Sequence, residues 1–97
     1  MQYDLLLKSV VARASEKGSI RQAALKVGIT DVSLGMFIRW RETNAFPSNE
    51  TVVKLADIAG FDKIKSHFAT MAAKTKEPYL SEAYEQLAQG MELENKR

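Results

Sequence analysis

The sequence predicts an all-α protein, and two features of its side-chain pattern support this. Apolar residues recur three and four positions apart along most of the chain, as at Leu6, Val10 and Ala14, which is the period of an amphipathic helix. These runs are interrupted by Gly or Pro and are preceded by Ser, Thr or Asp, the residues that end and begin helices. The pattern favours six helices and no strands.

The first three predicted helices lie before residue 42. The first is "YDLLLKSVVARASEK", ended by Gly18. The second is "IRQAALKV", capped by Ser19 and ended by Gly28. The third runs from 31 to about 41, with Thr30 as its cap.

Three more helices follow the predicted loop "NAFPS". The fourth, "ETVVKLADIA", is capped by Ser48 or Asn49 and stopped by Gly60. The fifth, "KIKSHFATMAAK", is capped by Asp62, and Pro78 opens the sixth, "PYLSEAYEQLAQ". We expect the final "ELENKR" to fray.

Length and composition limit the possible classes of protein. The chain of 97 residues suffices for one small domain, and 45% hydrophobic with 27% charged residues is typical of a globular protein. The absence of cysteine excludes disulfides, thiol catalysis and cysteine-ligated zinc, and suits a reducing compartment. The apolar runs are too short for a membrane span, and the first residues do not resemble a signal peptide. We therefore expect a cytoplasmic protein.

The net charge of +2 is unevenly distributed. Residues 1–76 carry twelve Lys and Arg against seven Asp and Glu, a net charge of +5, whereas residues 77–97 carry a net charge of −3. A basic body with an acidic tail suits a domain that binds a polyanion. Ordinary variation among solvated faces is the alternative explanation.

The second and third predicted helices are joined by the short turn "GIT", the plan of a helix-turn-helix motif. Ala24 is small enough for a close crossing, and Gly28 can adopt a positive φ without steric cost. Leu34, Phe37 and Ile38 are spaced to anchor the third helix in the core. The more exposed positions of that helix are then Asp31, Val32, Ser33, Gly35, Met36 and Arg39.

Two segments, "AALKVGITDVSLGMFI" and "PSNETVVKLADIAGF", resemble the lambda-repressor-like, or Cro-type, helix-turn-helix family. The matching residues are Ala24, Gly28, Thr30 and Leu34, followed by Leu55, Ala56 and Gly60. The segment "KEPYLSEAYEQLA" is similar to the tail of small phage-encoded repressors. The resemblance implies a five-helix DNA-binding domain over 1–76 and a C-terminal oligomerisation helix over 77–97. It implies a sequence-specific transcriptional regulator, a phage or prophage repressor that binds an operator as a homodimer.

The third predicted helix has side chains that can contact base edges. Asp31 can accept a hydrogen bond from cytosine N4, and Val32 and Met36 can cover a thymine methyl. Ser33 can contact a base or a phosphate, and Gly35 permits close approach to DNA. The alternatives are a helix-dipole role for Asp31, partial burial of Val32 and Met36, and helix packing at Gly35.

Phosphate contacts supply much of the affinity of a DNA-binding protein. Arg39 and Arg41 are candidates at the end of the third helix, although both also suit a solvated helix end. Trp40 between them is expected in the core. The complete set of predicted DNA-binding residues is Arg21, Gln22, Thr30, Asp31, Val32, Ser33, Met36, Arg39, Arg41, Asn44 and Ser48, with Asn49 as a further phosphate candidate.

The sequence offers little for catalysis. His67 is the only histidine, and the chain has no phosphate-binding loop and no metal-ligand spacing. We therefore expect no enzyme, no cofactor, no metal, no small-molecule substrate and no membrane partner.

The last predicted helix carries an apolar stripe of Leu80, Ala83, Tyr84, Leu87, Ala88 and Met91. If five helices close the core, this stripe is free for a second copy, and we expect a homodimer. Alternatively, the helix folds back on its own domain. A second function remains open, a protein-interaction module of antitoxin or adaptor type, which an apolar and uncharged face on the third helix would favour.

Overall fold

The computed structural model describes residues 1–92, over which the chain forms seven α-helices and no strand. The all-α prediction is therefore confirmed. The helices are α1 (Gln2–Ala14), α2 (Ile20–Val27), α3 (Asp31–Ile38), α4 (Trp40–Thr43), α5 (Asn49–Ala59), α6 (Lys63–Lys74) and α7 (Pro78–Ala88). Most of the segment expected to fray, residues 93–97, lies outside the described residues.

Four helices begin at the predicted caps. Ser19, Thr30, Ser48 and Asp62 each accept a hydrogen bond from the backbone N–H three residues later. Of the two caps considered for α5, the structure uses Ser48. Each such bond satisfies an otherwise unpaired helix donor, and its loss typically costs about 1 kcal/mol.

The third predicted helix is shorter than expected, which corrects its end from about residue 41 to Ile38. Arg39 leaves helical geometry with φ −92° and ψ 36°, and the four-residue α4 follows. The hydroxyl of Thr43 donates to the carbonyl oxygen of Met36 at 2.7 Å, so it satisfies a carbonyl that the break would leave unpaired. The break redirects the chain toward α1.

The core is built around α1, which contacts α2, α3, α5 and α6. Its apolar stripe, including Leu6 and Val10, is completely buried. Leu34 from α3 and Leu55 from α5 enter the same cluster. Burial of side chains of this size provides the main stabilisation, about 1.5–3 kcal/mol each.

The last helix, α7, folds back on its own chain. Ala88 and Met91 are completely buried in the core cluster. The ring of Tyr84 stacks on Phe68 with centroids 6.3 Å apart, and the hydroxyl of Ser81 donates to the carbonyl oxygen of Ala72 at 2.7 Å. The expectation that the whole stripe is free for a partner is corrected, because a chain with few helices needs α7 to close its core.

Two hydrogen bonds join the segment from α7 to Met91 to the rest of the chain. The carboxylate of Glu85 accepts a hydrogen bond from the backbone N–H of Gln2 at 2.8 Å, in the first turn of α1. The carbonyl oxygen of Met91 accepts one from the backbone N–H of Asp62 at 2.9 Å. Residues predicted as separate segments, 1–76 and 77–97, therefore share one core as far as Met91. Leu80 is partly covered, whereas Ala83 and Leu87 remain exposed.

Candidate nucleic-acid interface

Helices α2 and α3 form a compact pair joined by a three-residue turn. Gly28 adopts the left-handed conformation, with φ 88° and ψ 29°. The backbone N–H groups of Gly28 and Ile29 both donate to the carbonyl oxygen of Ala24, at 2.9 and 3.0 Å. Buried Ala24 and Leu34 bring the two helices into one core. A side chain at position 28 would strain this turn, which explains the glycine.

One face of α3 remains open to solvent. Val32, Gly35, Met36 and Arg39 are spaced at i, i+3, i+4 and i+7, so they lie on one side of the helix. Val32 is 67% exposed and Met36 is 36% exposed, whereas Leu34 on the opposite side is completely buried. The burial considered for Val32 therefore does not occur. We call the residues Val32, Gly35, Met36 and Arg39 the α3 face.

Polar residues at the start of α3 are engaged in capping the helix. The hydroxyl of Thr30 donates to the Ser33 hydroxyl oxygen at 2.9 Å and accepts from the Ser33 backbone N–H at 3.0 Å. The carboxylate of Asp31 accepts from the backbone N–H of Val32 at 3.0 Å. Asp31 and Thr30 are exposed, but their local bonds support the helix-start role that was considered for Asp31.

Arg39 lies along the α3 face. Its Nε donates to the carbonyl oxygen of Gly35 at 3.3 Å. A Cβ atom built on Gly35 would lie 3.8 Å from one terminal nitrogen of Arg39, and other parts of residues 1–92 offer no contact there. Gly35 is therefore not required for close helix packing, which was one of its two considered roles.

Arg41 has a different environment from Arg39. Its two terminal nitrogens donate to the two carboxylate oxygens of Asp4 at 3.2 and 3.0 Å. The guanidinium carbon lies 4.2 Å from the centroid of the Trp40 ring, and the indole N–H of Trp40 donates to Asp4 at 2.9 Å. Arg41 is thus paired with Asp4 of α1, but its side chain remains 61% exposed, so its phosphate contact stays a prediction.

These contacts change the pKa of the Asp4 carboxyl group. Partial burial by itself raises its pKa, but the hydrogen bonds from Arg41 and Trp40 and the charge of Arg41 outweigh that effect. The pKa of Asp4 therefore lies below its ordinary value, so the carboxylate is ionised near neutral pH.

An aromatic cluster fixes α4 and the following loop on α1. The rings of Tyr3, Trp40 and Phe46 lie 5.8–5.9 Å apart pairwise. Tyr3 is completely buried, and its hydroxyl donates to the carbonyl oxygen of Phe37 at 3.4 Å. Burial raises the pKa of Tyr3, with a smaller contribution from Asp4. The packing role predicted for Trp40 agrees with this cluster.

Basic side chains lie on α2 and just before it. Arg21 is exposed, and its side chain has no ion-pair or hydrogen-bond partner within residues 1–92. Lys17 and Lys26 line a shallow pocket of about 460 Å³ together with Leu25, which is 73% exposed. Sequence reasoning missed these two lysines, although Lys17 shortly precedes α2 and Lys26 lies in its last turn.

The remaining predicted contacts are dispersed. Gln22 is exposed, but its amide oxygen accepts from the hydroxyl of Ser15 at 2.9 Å. Asn44 ends α4 in the left-handed conformation with φ 53°, and Ser48 caps α5 while its hydroxyl contacts Thr51 at 3.1 Å. Asn49 is exposed in the first turn of α5. The side chains of Gln22 and Ser48 thus make local contacts at helix ends, whereas Asn44 and Asn49 are exposed.

Three comparisons with known proteins, against protein-family models, curated proteins and solved structures, gave no match. Within residues 1–92, none of the helices has both the length and the apolar character required to cross a membrane. The same part of the chain has no group of three or more His, Cys, Asp or Glu side chains arranged to hold a metal ion. The α3 face and the basic residues around α2 therefore define the candidate site by geometry alone.

Proposed function

We propose that this protein is a sequence-specific DNA-binding transcriptional regulator of the repressor type, with α2 and α3 as a helix-turn-helix motif. The observation that supports this most is the open α3 face, which presents Val32, Met36 and Arg39 next to a tightly capped turn. A helix exposed on one side and anchored on the other is what the major groove accommodates. The excess positive charge of residues 1–76 suits the phosphate backbone.

We propose that the regulator acts as a homodimer, since proteins of this kind commonly bind two half-sites. Leu87 and Tyr79 on α7 and Met71 on α6 remain exposed and are candidates for the interface. Met91 is excluded from that role by its complete burial within its own chain. Sedimentation of the intact chain measures the oligomeric state.

A protein-interaction module is the second candidate function. Leu25, Val32 and Met36 are large apolar side chains left exposed on α2 and α3, and exposed apolar groups are typical of protein-binding surfaces. Arg39 on the α3 face and Arg21 on α2 favour the DNA proposal, because both cations lack an acidic partner within residues 1–92.

The dependence of duplex DNA binding on salt separates the two functions. Titration of the intact chain with a fluorescent duplex between about 50 and 200 mM salt should show log affinity falling linearly with log salt, by roughly 0.9 per phosphate neutralised. Arg21→Ala should flatten that slope by about one unit. Lys74→Ala removes the same charge from the far end of α6 and is the matched control, which should leave the slope unchanged. A salt-independent response, or equal effects of the two variants, contradicts the proposed surface.

A further inference from the structure

The guanidinium group of Arg39 lies over the middle of the α3 face. Its Nε is 3.3 Å from the carbonyl oxygen of Gly35, one turn earlier, and a terminal nitrogen lies 3.8 Å from the place of a Gly35 Cβ atom. Helix side chains lean toward the helix N-terminus, which is the direction Arg39 takes. The positive charge therefore stands beside Gly35, within the α3 face, rather than beyond the end of the helix.

This position differs from that of a simple phosphate contact. Side chains on the groove-facing side of a recognition helix meet base edges, whereas cations around its ends and on neighbouring elements meet phosphates. The Nε donor of Arg39 is used by Gly35, and its two terminal nitrogens have no acidic partner within residues 1–92. Two parallel free donors match the O6 and N7 acceptors of guanine in the major groove.

We infer that Arg39 is a specificity-determining residue that reads a guanine through its major-groove edge. Val32 and Met36 then cover the adjacent base edges, where thymine methyl groups are the suitable apolar partners. The carbonyl oxygen of Gly35 holds the guanidinium in this position through the Arg39 Nε. This inference rests on the proposed DNA-binding function, and it replaces the phosphate role expected for Arg39 from the sequence.

Guanines lacking the N7 atom test the inference directly. The intact chain selects its preferred duplex from a randomised pool, and each guanine is then replaced in turn by 7-deazaguanine, which still pairs with cytosine. One guanine in each half-site should prove sensitive, with affinity falling roughly 10-fold, a typical value for loss of a bidentate base contact. Arg39→Ala should bind the unmodified duplex as weakly and should show no further loss with 7-deazaguanine.

Two further variants separate base reading from charge. Arg39→Lys keeps the charge but lacks the planar fork, so it should retain affinity for random duplexes and lose part of the sensitivity to 7-deazaguanine, since an ammonium group can still contact N7. Arg41→Ala removes the neighbouring arginine that Asp4 holds, and it should keep the sensitivity of the wild-type protein. Helix content measured by circular dichroism verifies that each variant is folded.

The possible outcomes are distinct. Salt-dependent duplex binding without a 7-deazaguanine effect, or with the same effect in Arg39→Ala, overturns the role of Arg39 and leaves the proposed function standing. A complete absence of duplex binding overturns both. Loss of the effect in Arg39→Ala and its reduction in Arg39→Lys, with Arg41→Ala unchanged, support the assignment.

Discussion

Helices α3 and α7 both carry apolar side chains that were not assigned to the predicted core. Within residues 1–92, part of the stripe on α7 is covered by the same chain, whereas the α3 face stays open. Met91, just after α7, is completely buried, whereas Val32 on α3 is 67% exposed. The three-residue link between α6 and α7 returns α7 along α6, where the hydroxyl of Ser81 bonds to Ala72. Helix α3 packs on the core through Leu34, and Val32 on its other side stays exposed in the part of the chain that the structure describes. Apolar periodicity thus identifies a helix but not the partner of each face.

The comparison of α3 with α7 predicts the largest loss of stability at the buried end of the α7 segment, at Met91. Met91→Ala should lower the free energy of unfolding by about 2–4 kcal/mol, because it removes a completely buried side chain and leaves a cavity. Val32→Ala should change it by less than about 0.5 kcal/mol, because Val32 is largely in solvent. Urea denaturation of both variants measures the difference. Similar small losses would mean that α7 contributes little to folding.

The features that could be predicted from the sequence are those that depend on contacts within a short segment. The caps at Ser19, Thr30 and Asp62 each act within three residues, so local side-chain chemistry was sufficient to place them. The end of α3 depends on contacts of Trp40 and Arg41 with Asp4, 36 and 37 residues away in the sequence. Helix periodicity contains no information about such pairs, and the predicted helix therefore ran too long.

The candidate site, like the fold, could be predicted where it depends on local spacing and not where it depends on distant contacts. The exposure of Val32 and Arg39 follows from helical spacing around Leu34, but the two arginines at 39 and 41 looked equivalent in the sequence. Their different surroundings arise from the helix break at Arg39, which leaves Arg39 at the C-terminal end of α3 and turns Arg41 toward α1. Only the three-dimensional path of the chain separates a free guanidinium from a paired one.

A second prediction tests whether the ion pair between Asp4 and Arg41 stabilises the fold. Asp4→Asn can still accept the Trp40 hydrogen bond but loses the charge that pairs with Arg41, so it should lower the free energy of unfolding by about 1 kcal/mol at pH 7, since the pair is largely exposed. Because the pKa of Asp4 is lowered in the folded state, its stabilisation is fully present above the unfolded pKa of about 4 and is lost as the pH falls through the folded value.

The pH profile distinguishes this cause from general acid denaturation. Unfolding free energies measured from neutral pH downward should converge for the wild-type protein and Asp4→Asn as the pH falls through the lowered pKa of Asp4, because the wild-type carboxylate becomes protonated there. Asp57→Asn alters an ion pair whose carboxylate is more exposed, with Lys63 at 3.4 Å, and should lower the free energy of unfolding less at pH 7. Profiles for wild type and Asp4→Asn that keep the same separation at every pH would show that the charge of Asp4 does not stabilise the fold.

The smallest expected effect is a gain in stability on the open side of α3. Gly35 has ordinary helical geometry, and a Cβ atom there would make only a 3.8 Å contact with Arg39 among the atoms of residues 1–92. Gly35→Ala should therefore raise the free energy of unfolding by about 0.5–1 kcal/mol, because alanine loses less backbone entropy in a helix. Gly28→Ala is the matched control, since φ 88° at that turn is unfavourable for a side chain, and it should lower stability by a similar amount. Urea denaturation of the two variants should give opposite signs. A loss of stability in both would show that the α3 face is packed more tightly than the exposure of Val32 indicates, and the contrast between α3 and α7 would no longer hold.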